Sequence, residues 1–476
     1  MINEHNIKLR EYFNSIAPGR VKARKNHSYY WNEITDYCSY FSHETYSVLE
    51  IGCGTGELLN AIKANRKVGI DLSPEMIKIA QSQFSGIEFI EMAAEEINLG
   101  EKFDLIVLSN LVGYVDDVQL ILEKIHSVCH GRTKVIVTYY NHLWEPFLKF
   151  GEKLGLKTKT PNQNWLTKHD IKNFLVLAGF SVYRERRRMI FPFYIPLISQ
   201  LLNRYIANLP LISYLSINSY AFAKPQSNVL SDSSKSKYSV SIVIPARNES
   251  GNIENAILRL PKFGKHQEII FIEGNSTDDT WEKIQEIKTK YGSTHDIKIG
   301  KQPGKGKNDA VKKGFDMAEG DILMILDADL TVPPEDLPKF YEAIESGKGD
   351  FINGSRLVYQ MEKQAMQFLN ILGNKFFSFA FSWLLDQPFK DTLCGTKVIF
   401  REDYKRLVTN RKFFGEFDPF GDYDLIFGAY KLNLKIVEVP IRYRERTYGS
   451  TNISRFKHGL ILLRMCVFAA RKIKFI

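Results

Sequence analysis

Short β-branched runs that end in glycine or acidic turns and then give way to helical stretches recur along the whole chain, as in Tyr46 to Ile62 and again in Val240 to Leu258. Strands that are apolar throughout are buried on both faces, so each half reads as α/β with a mostly parallel sheet. In the first half, strands are expected at residues 47–51, 66–70 and 104–109, with a helix beginning near Glu57. In the second they are expected from residue 239 into the loop before Glu249, at 268–272 and at 321–326. Between Pro225 and Tyr238 the chain is polar, Ser-rich and without apolar period, which marks a linker. The expected organisation is a domain at 1–225, a linker at 226–237, a domain at 238–457 and a basic amphipathic C-terminal helix at 458–476. The motifs of the two halves differ, so no internal repeat is read.

Composition changes this picture little. A chain of 476 residues with 44% hydrophobic and 25% charged positions can bury two cores and is neither disordered nor fibrous. The net charge of +10 points to an anionic partner, which could be a nucleotide, a phospholipid surface or a nucleic acid. Nucleic acid is disfavoured, because the basic residues are scattered among acidic ones instead of forming one stripe. Cys38, Cys53, Cys129, Cys394 and Cys466 are far apart and odd in number, which suits a reducing compartment and argues against structural zinc. Met1 to His5 lack the apolar core of a secretory signal, so a cytoplasmic location is expected. Apolar stretches at 190–223, 368–389 and 459–476 are interrupted by Arg204, Lys375 and Arg464, and none reaches the roughly 20 apolar residues of a span.

Candidate chemistry begins with Gly52-Cys53-Gly54-Thr55-Gly56 after the first strand, where glycines let backbone approach a ligand at a helix N-terminus. A dinucleotide fingerprint would place a third glycine where Glu57 stands, which tilts the reading away from NAD. Asp71 ends the second strand, about 20 residues after Glu50, where a carboxylate can accept from ribose hydroxyls. From Leu49 through Tyr140, including Asp71-Leu72-Ser73-Pro74-Glu75-Met76, the sequence resembles the class I S-adenosylmethionine-dependent methyltransferases, a resemblance that covers about the first 225 residues. It implies a Rossmann-like domain in which Glu50, Gly52, Gly54 and Gly56 line the methionine and adenosine portions of S-adenosylmethionine. Asp71 would hold the ribose, Ala94 and Glu95 would abut the adenine, and Asn110 would face the methionine side. Tyr139, Tyr140, His142 and Trp144 follow a strand end and either border a methyl-acceptor pocket or simply pack.

In the second half polar residues gather at successive strand ends: Pro245-Ala246-Arg247-Asn248-Glu249, then Glu273-Gly274-Asn275-Ser276-Thr277-Asp278. The loop Pro303-Gly304-Lys305-Gly306-Lys307 offers flexible backbone and two ammonium groups to phosphates. An apolar strand then delivers Asp327-Ala328-Asp329, two carboxylates able to face a divalent cation that bridges a nucleotide diphosphate. With Gly354-Ser355-Arg356, Asp391-Thr392-Leu393-Cys394-Gly395 and Arg442 to Ser450, residues 238–457 resemble the inverting glycosyltransferase family 2, dolichyl-phosphate mannose synthase-like members in particular. The resemblance implies a GT-A-type nucleotide-sugar-binding α/β domain. Pro245, Glu249, Glu273 and Asp278 would surround the base and ribose, Asp327 and Asp329 would hold Mg2+ or Mn2+, and Arg356 would reach phosphate. The family usually reads Asp-Asp-Gly-Ser where this chain has Glu273-Gly274-Asn275-Ser276, which leaves UDP and GDP both open.

Arg442, Arg444 and Arg446 alternate along the chain; on a strand they would share one side, suited either to a phosphate acceptor or to a solvated edge. The basic helix that follows either lies in a membrane interface or packs on its own domain. An ionised polyprenyl phosphate needs no strong base, whereas a sugar hydroxyl would need a carboxylate, for which Asp422 or Asp424 is the candidate. Asp391 is a further carboxylate near the expected acceptor face. The sequence therefore predicts a bifunctional enzyme, peripheral on the cytoplasmic face of a membrane, moving sugar from a nucleotide-diphosphate donor to a polyprenyl phosphate with a fused methyltransferase. The alternative is a glycosyltransferase acting on a polysaccharide (glycan) hydroxyl, its first domain binding S-adenosylmethionine without catalysis.

Overall fold

The computed structural model describes residues 4–155, 160, 163–226, 237–356, 368–409, 423–441, 444, 448 and 455–475. The chain divides into two units, Met1–Gln226 with Lys474–Ile476 and Ser227–Ile473.

Seven strands build the sheet of the first unit: β1 (Ser47–Ile51), β2 (Arg66–Asp71), β3 (Glu88–Glu91), β4 (Phe103–Ser109), β5 (Cys129–Tyr140), β6 (Phe180–Arg188) and β7 (Asn218–Pro225). Their order is β3-β2-β1-β4-β5-β7-β6. The first five run parallel, while β7 lies antiparallel to both β5 and β6. The parallel strands are apolar on both faces: Val48, Leu49, Ile51, Val68, Ile70, Ile106 and Leu108 are all buried. The chain reverses its winding between β1 and β4, so the crevice for a ligand opens at the carboxyl end of β1.

Two helices, Glu4–Asn26 and Ser28–Tyr40, precede this sheet, and nothing in the sequence pattern announced them. The first buries only Asn6, Leu9 and Ala17 along its length and contains Pro18, so it has almost no apolar period to read.

The second unit has β8 (Val240–Ala246), β9 (Gln267–Glu273), β10 (Asp296–Lys301), β11 (Ile322–Ile325), β12 (Phe351–Ser355), β13 (Lys397–Phe400) and β14 (Ile436–Pro440). The order is β10-β9-β8-β11-β13-β12-β14, with β13 antiparallel to both neighbours and the other pairs parallel. Asp321, expected inside the β11 strand, precedes it, because its carboxylate accepts from the Ser239 backbone N at 3.0 Å and from its hydroxyl at 2.7 Å. Strand β14 ends at Pro440; of the alternating arginines only Arg444 is described, outside any strand, and Arg442 and Arg446 lie outside the described residues.

The terminal helix Arg455–Ala469 buries Leu462, Met465, Cys466 and Ala469, an i, i+3, i+4, i+7 stripe, and leaves Leu460, Leu463 and Val467 exposed. Arg464 is exposed beside Leu463. Among the described residues no helix is long and apolar enough to cross a membrane.

Candidate functional site

The turn after β1 is fixed by backbone geometry. Gly52, Gly54 and Gly56 all have left-handed φ, at 75°, 53° and 85°. At Gly56 a side chain is excluded twice over, since a Cβ would also come within 2.7 Å of the Phe89 ring. The Gly52 and Cys53 N–H groups both donate to the Ile70 carbonyl, at 2.8 and 3.0 Å, pinning the turn to β2. Asp71 then joins the two strand ends: one carboxylate oxygen accepts from Gly54 N at 2.8 Å and the other from Ser73 N at 2.9 Å. Burial pushes the Asp71 carboxyl up, against the lowering pull of those N–H groups and of Arg20.

Glu50 is the unusual group here. Its side chain is buried in β1, and Oε2 finds no hydrogen-bond partner among the described residues. Burial pushes its pKa from 4.5 to about 8, with Arg24 opposing and Glu57 and Asp71 adding to the rise.

The first helix crosses this edge of the sheet. Asn14 Oδ1 accepts from Ser73 Oγ at 2.7 Å and His5 Nε2 meets the Tyr114 carbonyl at 2.8 Å, the loops after β2 and β4 respectively. Arg20 and Arg24 sit over the Trp31 ring at 4.9 and 4.8 Å, and Arg24 reaches Glu57 at 3.6 Å. Ala94 and Glu95 occupy a short 3-10 turn after β3. Asn110, at left-handed φ 53°, follows β4, donating its backbone N to Thr138 Oγ1 at 2.9 Å and its amide to Tyr30 Oη at 3.5 Å. All eight expected cofactor positions, Glu50, Gly52, Gly54, Gly56, Asp71, Ala94, Glu95 and Asn110, thus stand at the carboxyl ends of β1 to β4 or in the turns just beyond them.

The aromatic cluster after β5 divides. Tyr139 packs into the core, and Trp144 Nε1 donates to the Leu215 carbonyl at 2.7 Å. Tyr140 instead stacks on Tyr30, with ring centroids 6.2 Å apart and planes at 14°. Tyr30 Oη donates to Asn218 Oδ1 at 2.9 Å, which places a tyrosine pair beside Asn110. Tyr30 was invisible in sequence because it comes from the unannounced second helix.

In the second unit the pairings Ala246↔Glu273 and Ile325↔Val243 bring three strand ends to one edge. Asn248 laces two of the loops together, its N donating to Ser276 Oγ at 3.1 Å and its Oδ1 accepting from Thr277 N at 2.8 Å. The three acidic residues expected around base and ribose are held within these loops. Glu249 accepts from Asn252 Nδ2 at 2.8 Å, Glu273 from Ser276 N at 2.5 Å, and Asp278 from Thr280 N at 3.1 Å. Pro245 is half-buried at the end of β8. The departure at Gly274-Asn275 has a local reason. A Cβ at 274 would meet Arg247 Cβ at 3.1 Å and the Ala246 carbonyl at 3.2 Å, and the left-handed residue is Asn275, at φ 59°.

Lys305 is exposed in the glycine loop, whereas Lys307 opens the helix Lys307–Met317 and pairs with Asp327 at 2.6 Å. Burial pushes the Asp327 carboxyl up, but Lys307, Lys397 and Arg356 more than offset that and leave it below its usual range. Asp329 Oδ1 accepts from Thr331 N at 3.1 Å and from its hydroxyl at 2.7 Å. Arg356 is held by Asp391 in a bidentate pair of 2.7 and 2.8 Å, and Asp391 also accepts from the Arg356 backbone N at 2.9 Å. Asp391 therefore orients Arg356. Arg444 donates its backbone N to the Thr331 carbonyl at 3.0 Å, next to Asp329. Asp424 is buried and lies 3.8 Å from the Lys312 ammonium; Asp422 and Arg446 are outside the described residues.

Gly395 presses on the Asp327–Lys307 pair, for a Cβ there would fall 1.9 Å from Asp327 Oδ2 and 2.4 Å from Lys307 Nζ. Gly395→Ala is expected to break that pair and cut turnover of the second unit at least about tenfold, while displacing the melting temperature only a few degrees. Parallel activity and melting measurements check this.

Residues 241–408 match the glycosyl transferase family 2 model, and residues 42–179 match a methyltransferase domain. The chain is 42% identical over 122 residues to the dolichol-phosphate mannosyltransferase of Pyrococcus furiosus, covering 25% of this chain and 33% of that protein. It is 32% identical over 112 residues to the undecaprenyl-phosphate 4-deoxy-4-formamido-L-arabinose transferase of Edwardsiella ictaluri, covering 23% and 34%. It thus spans about a third of the length of these two relatives. A SAM-dependent methyltransferase structure from Thermotoga maritima aligns at 17% identity with a TM-score of 0.36, over 45% of this chain and 98% of that one. The first unit carries a methyltransferase domain and the second a glycosyl transferase family 2 domain.

Proposed function

We propose that the second unit transfers a sugar, with inversion, from a nucleotide-diphosphate sugar to a polyprenyl phosphate, and that the first unit methylates a component of the same lipid-linked pathway using S-adenosylmethionine. The names of the two relatives support the acceptor class. The observation that carries the reading is the arrangement at the end of β11, where Asp327 and Asp329 stand with the Lys307 ammonium beside them.

Among the described residues no cluster of three or more His, Cys, Asp or Glu could hold a metal ion. Two carboxylates at a strand end still suit Mg2+ or Mn2+, which bind through one or two carboxylates and complete their shell with water and substrate phosphate. When bound, the ion neutralises charge on the diphosphate leaving group. The chain's own residues do the rest. Lys307 adds positive charge at the same point, Arg356 is kept in a fixed orientation by Asp391, and Arg444 lies near Asp329 on the side assigned to the acceptor. A phosphate acceptor is already ionised, so positioning suffices.

In the first unit the orphaned Glu50 Oε2 fits S-adenosylmethionine, whose methionine ammonium would supply the missing partner. Exposed Phe376, Phe379, Leu460 and Leu463 support peripheral membrane association of the second unit, and five buried free thiols agree with a cytoplasmic face.

The test is nucleotide-diphosphate release from a panel of UDP- and GDP-sugars with Mn2+, with and without undecaprenyl or dolichyl phosphate. Release that depends on the lipid phosphate is expected. Release that occurs equally with a polysaccharide and no lipid would overturn the acceptor assignment.

A further inference from the structure

The segment Phe191 to Leu215 of the first unit turns Ser199, Asn203 and Asn208 inward and most of its large apolar side chains outward. Ser199 is buried, accepting from Ile195 N at 2.6 Å and donating to the Phe193 carbonyl at 2.7 Å. Asn203 Oδ1 accepts from Ile190 N and Phe191 N, both at 2.9 Å, and its amide donates to the Phe191 carbonyl at 2.6 Å. With backbone groups satisfied from within, the aliphatic and aromatic side chains face out: Leu197 is 80% exposed and Leu211 85%. Leu197 also holds a left-handed backbone at φ 65°, a strained conformation for a leucine, and no burial of its own side chain compensates for it.

The patch extends to the helix Glu145–Lys153, where Phe147 is 68% and Phe150 62% exposed, and the Trp144 to Leu215 hydrogen bond fastens the two segments together. Contiguous apolar surface of this kind on a folded domain marks a docking face.

Charge selects the occupant. Between Glu185 and Asp232 the chain has no acidic residue. The cations of the segment are Arg204, exposed in its middle with Nε donating to the Phe475 carbonyl, and Arg187 beside it, stacked over the Tyr214 ring at 4.3 Å; on the neighbouring helix Lys149 and Lys153 are balanced by Glu145 and Glu152. Tyr194, Tyr205 and Tyr214 are exposed within it. Aliphatic side chains with interleaved tyrosines and arginines are the composition of a surface lying at the level of lipid headgroups.

We infer that the methyltransferase unit docks on an anionic lipid bilayer through residues 191–215 and the exposed face of 145–153. Docking there would bring the methyl-transfer site to a membrane-borne acceptor. It deepens the proposed lipid-linked reading without depending on it, because binding is measured with no sugar donor or acceptor present.

The experiment is flotation of the full chain with vesicles of phosphatidylcholine alone or mixed with phosphatidylglycerol. Wild type is expected to float with the mixed vesicles and much less with the neutral ones. The Leu197→Glu/Leu211→Glu double variant changes only exposed positions and is expected to lose about tenfold or more of its vesicle partitioning, with S-adenosylmethionine binding and circular dichroism unchanged. A Leu460→Glu/Leu463→Glu variant should retain part of the binding. The inference is overturned if wild type fails to float, or if only the second variant loses binding. It is also overturned if the first variant floats as wild type does and differs solely in being monomeric where wild type self-associates.

Discussion

Asp329→Asn is expected to lower the rate of nucleotide-diphosphate release by about 100- to 1,000-fold, the range found when one preorganised electrostatic group is removed from a transition-state site. The substitution isolates charge. The Thr331 N and hydroxyl bonds at 3.1 and 2.7 Å go to Asp329 Oδ1, and an asparagine oxygen at that position still accepts both. The turn should survive, and the melting temperature should move little. Asp327→Asn should cost at least as much activity and should also lower the melting temperature by a few degrees, because Lys307 at 2.6 Å would lose its counter-charge. Initial rates with Mn2+ and a lipid phosphate acceptor, set beside thermal melts, separate the two effects. Wild-type rates for Asp329→Asn would end the assignment of this pair to the diphosphate.

The parts of these sites legible in sequence are those that a local rule dictates. Strands buried on both faces are apolar throughout, so β1, β2, β4, β8, β9 and β11 were found within a residue or two of their ends. The turn after β1 was legible because left-handed backbone at three alternate positions demands glycine. Asp327 and Asp329 were legible because paired carboxylates after a buried strand require an explanation.

Pairings between distant residues were not legible. Nothing local says that Asp391 will hold Arg356 from 35 positions away, or that Lys307 will sit on Asp327 instead of waiting in an open phosphate loop. The antiparallel insertion of β13 between β11 and β12 is equally silent, since a strand's apolar pattern does not encode its direction. The first helix was missed because its fully buried positions are only Asn6, Leu9 and Ala17, too few apolar residues to set a period, yet it delivers Arg20 and Arg24 to the cofactor edge. The sequence shows 190–223 as an apolar stretch that Arg204 interrupts; what it could not supply is that Ser199 and Asn203 turn inward to satisfy the backbone.

Glu50→Gln should weaken S-adenosylmethionine binding by about 10- to 100-fold, the cost of losing one charged hydrogen bond in a dry site. It should also abolish a proton that wild type releases on binding. The wild-type carboxyl is held near pKa 8 by burial, so at neutral pH the ligand-free protein is mostly protonated there. A cationic ammonium placed against Oε2 favours the carboxylate, which drives the proton into solvent and makes affinity rise with pH until about 8. The stability of the ligand-free protein runs the other way. A carboxyl whose folded pKa lies above its unfolded value of 4.5 contributes fully below that value, and its contribution is lost as pH rises through about 8. Between those limits the unfolded chain binds fewer protons, so melting temperature should fall with pH in wild type and fall less in Glu50→Gln. Calorimetric titration at pH 7 in buffers of different ionisation enthalpy reads the proton directly. Equal apparent enthalpies across buffers for wild type would mean that the ligand's cation is held elsewhere, with Arg24 alone left to balance Glu50.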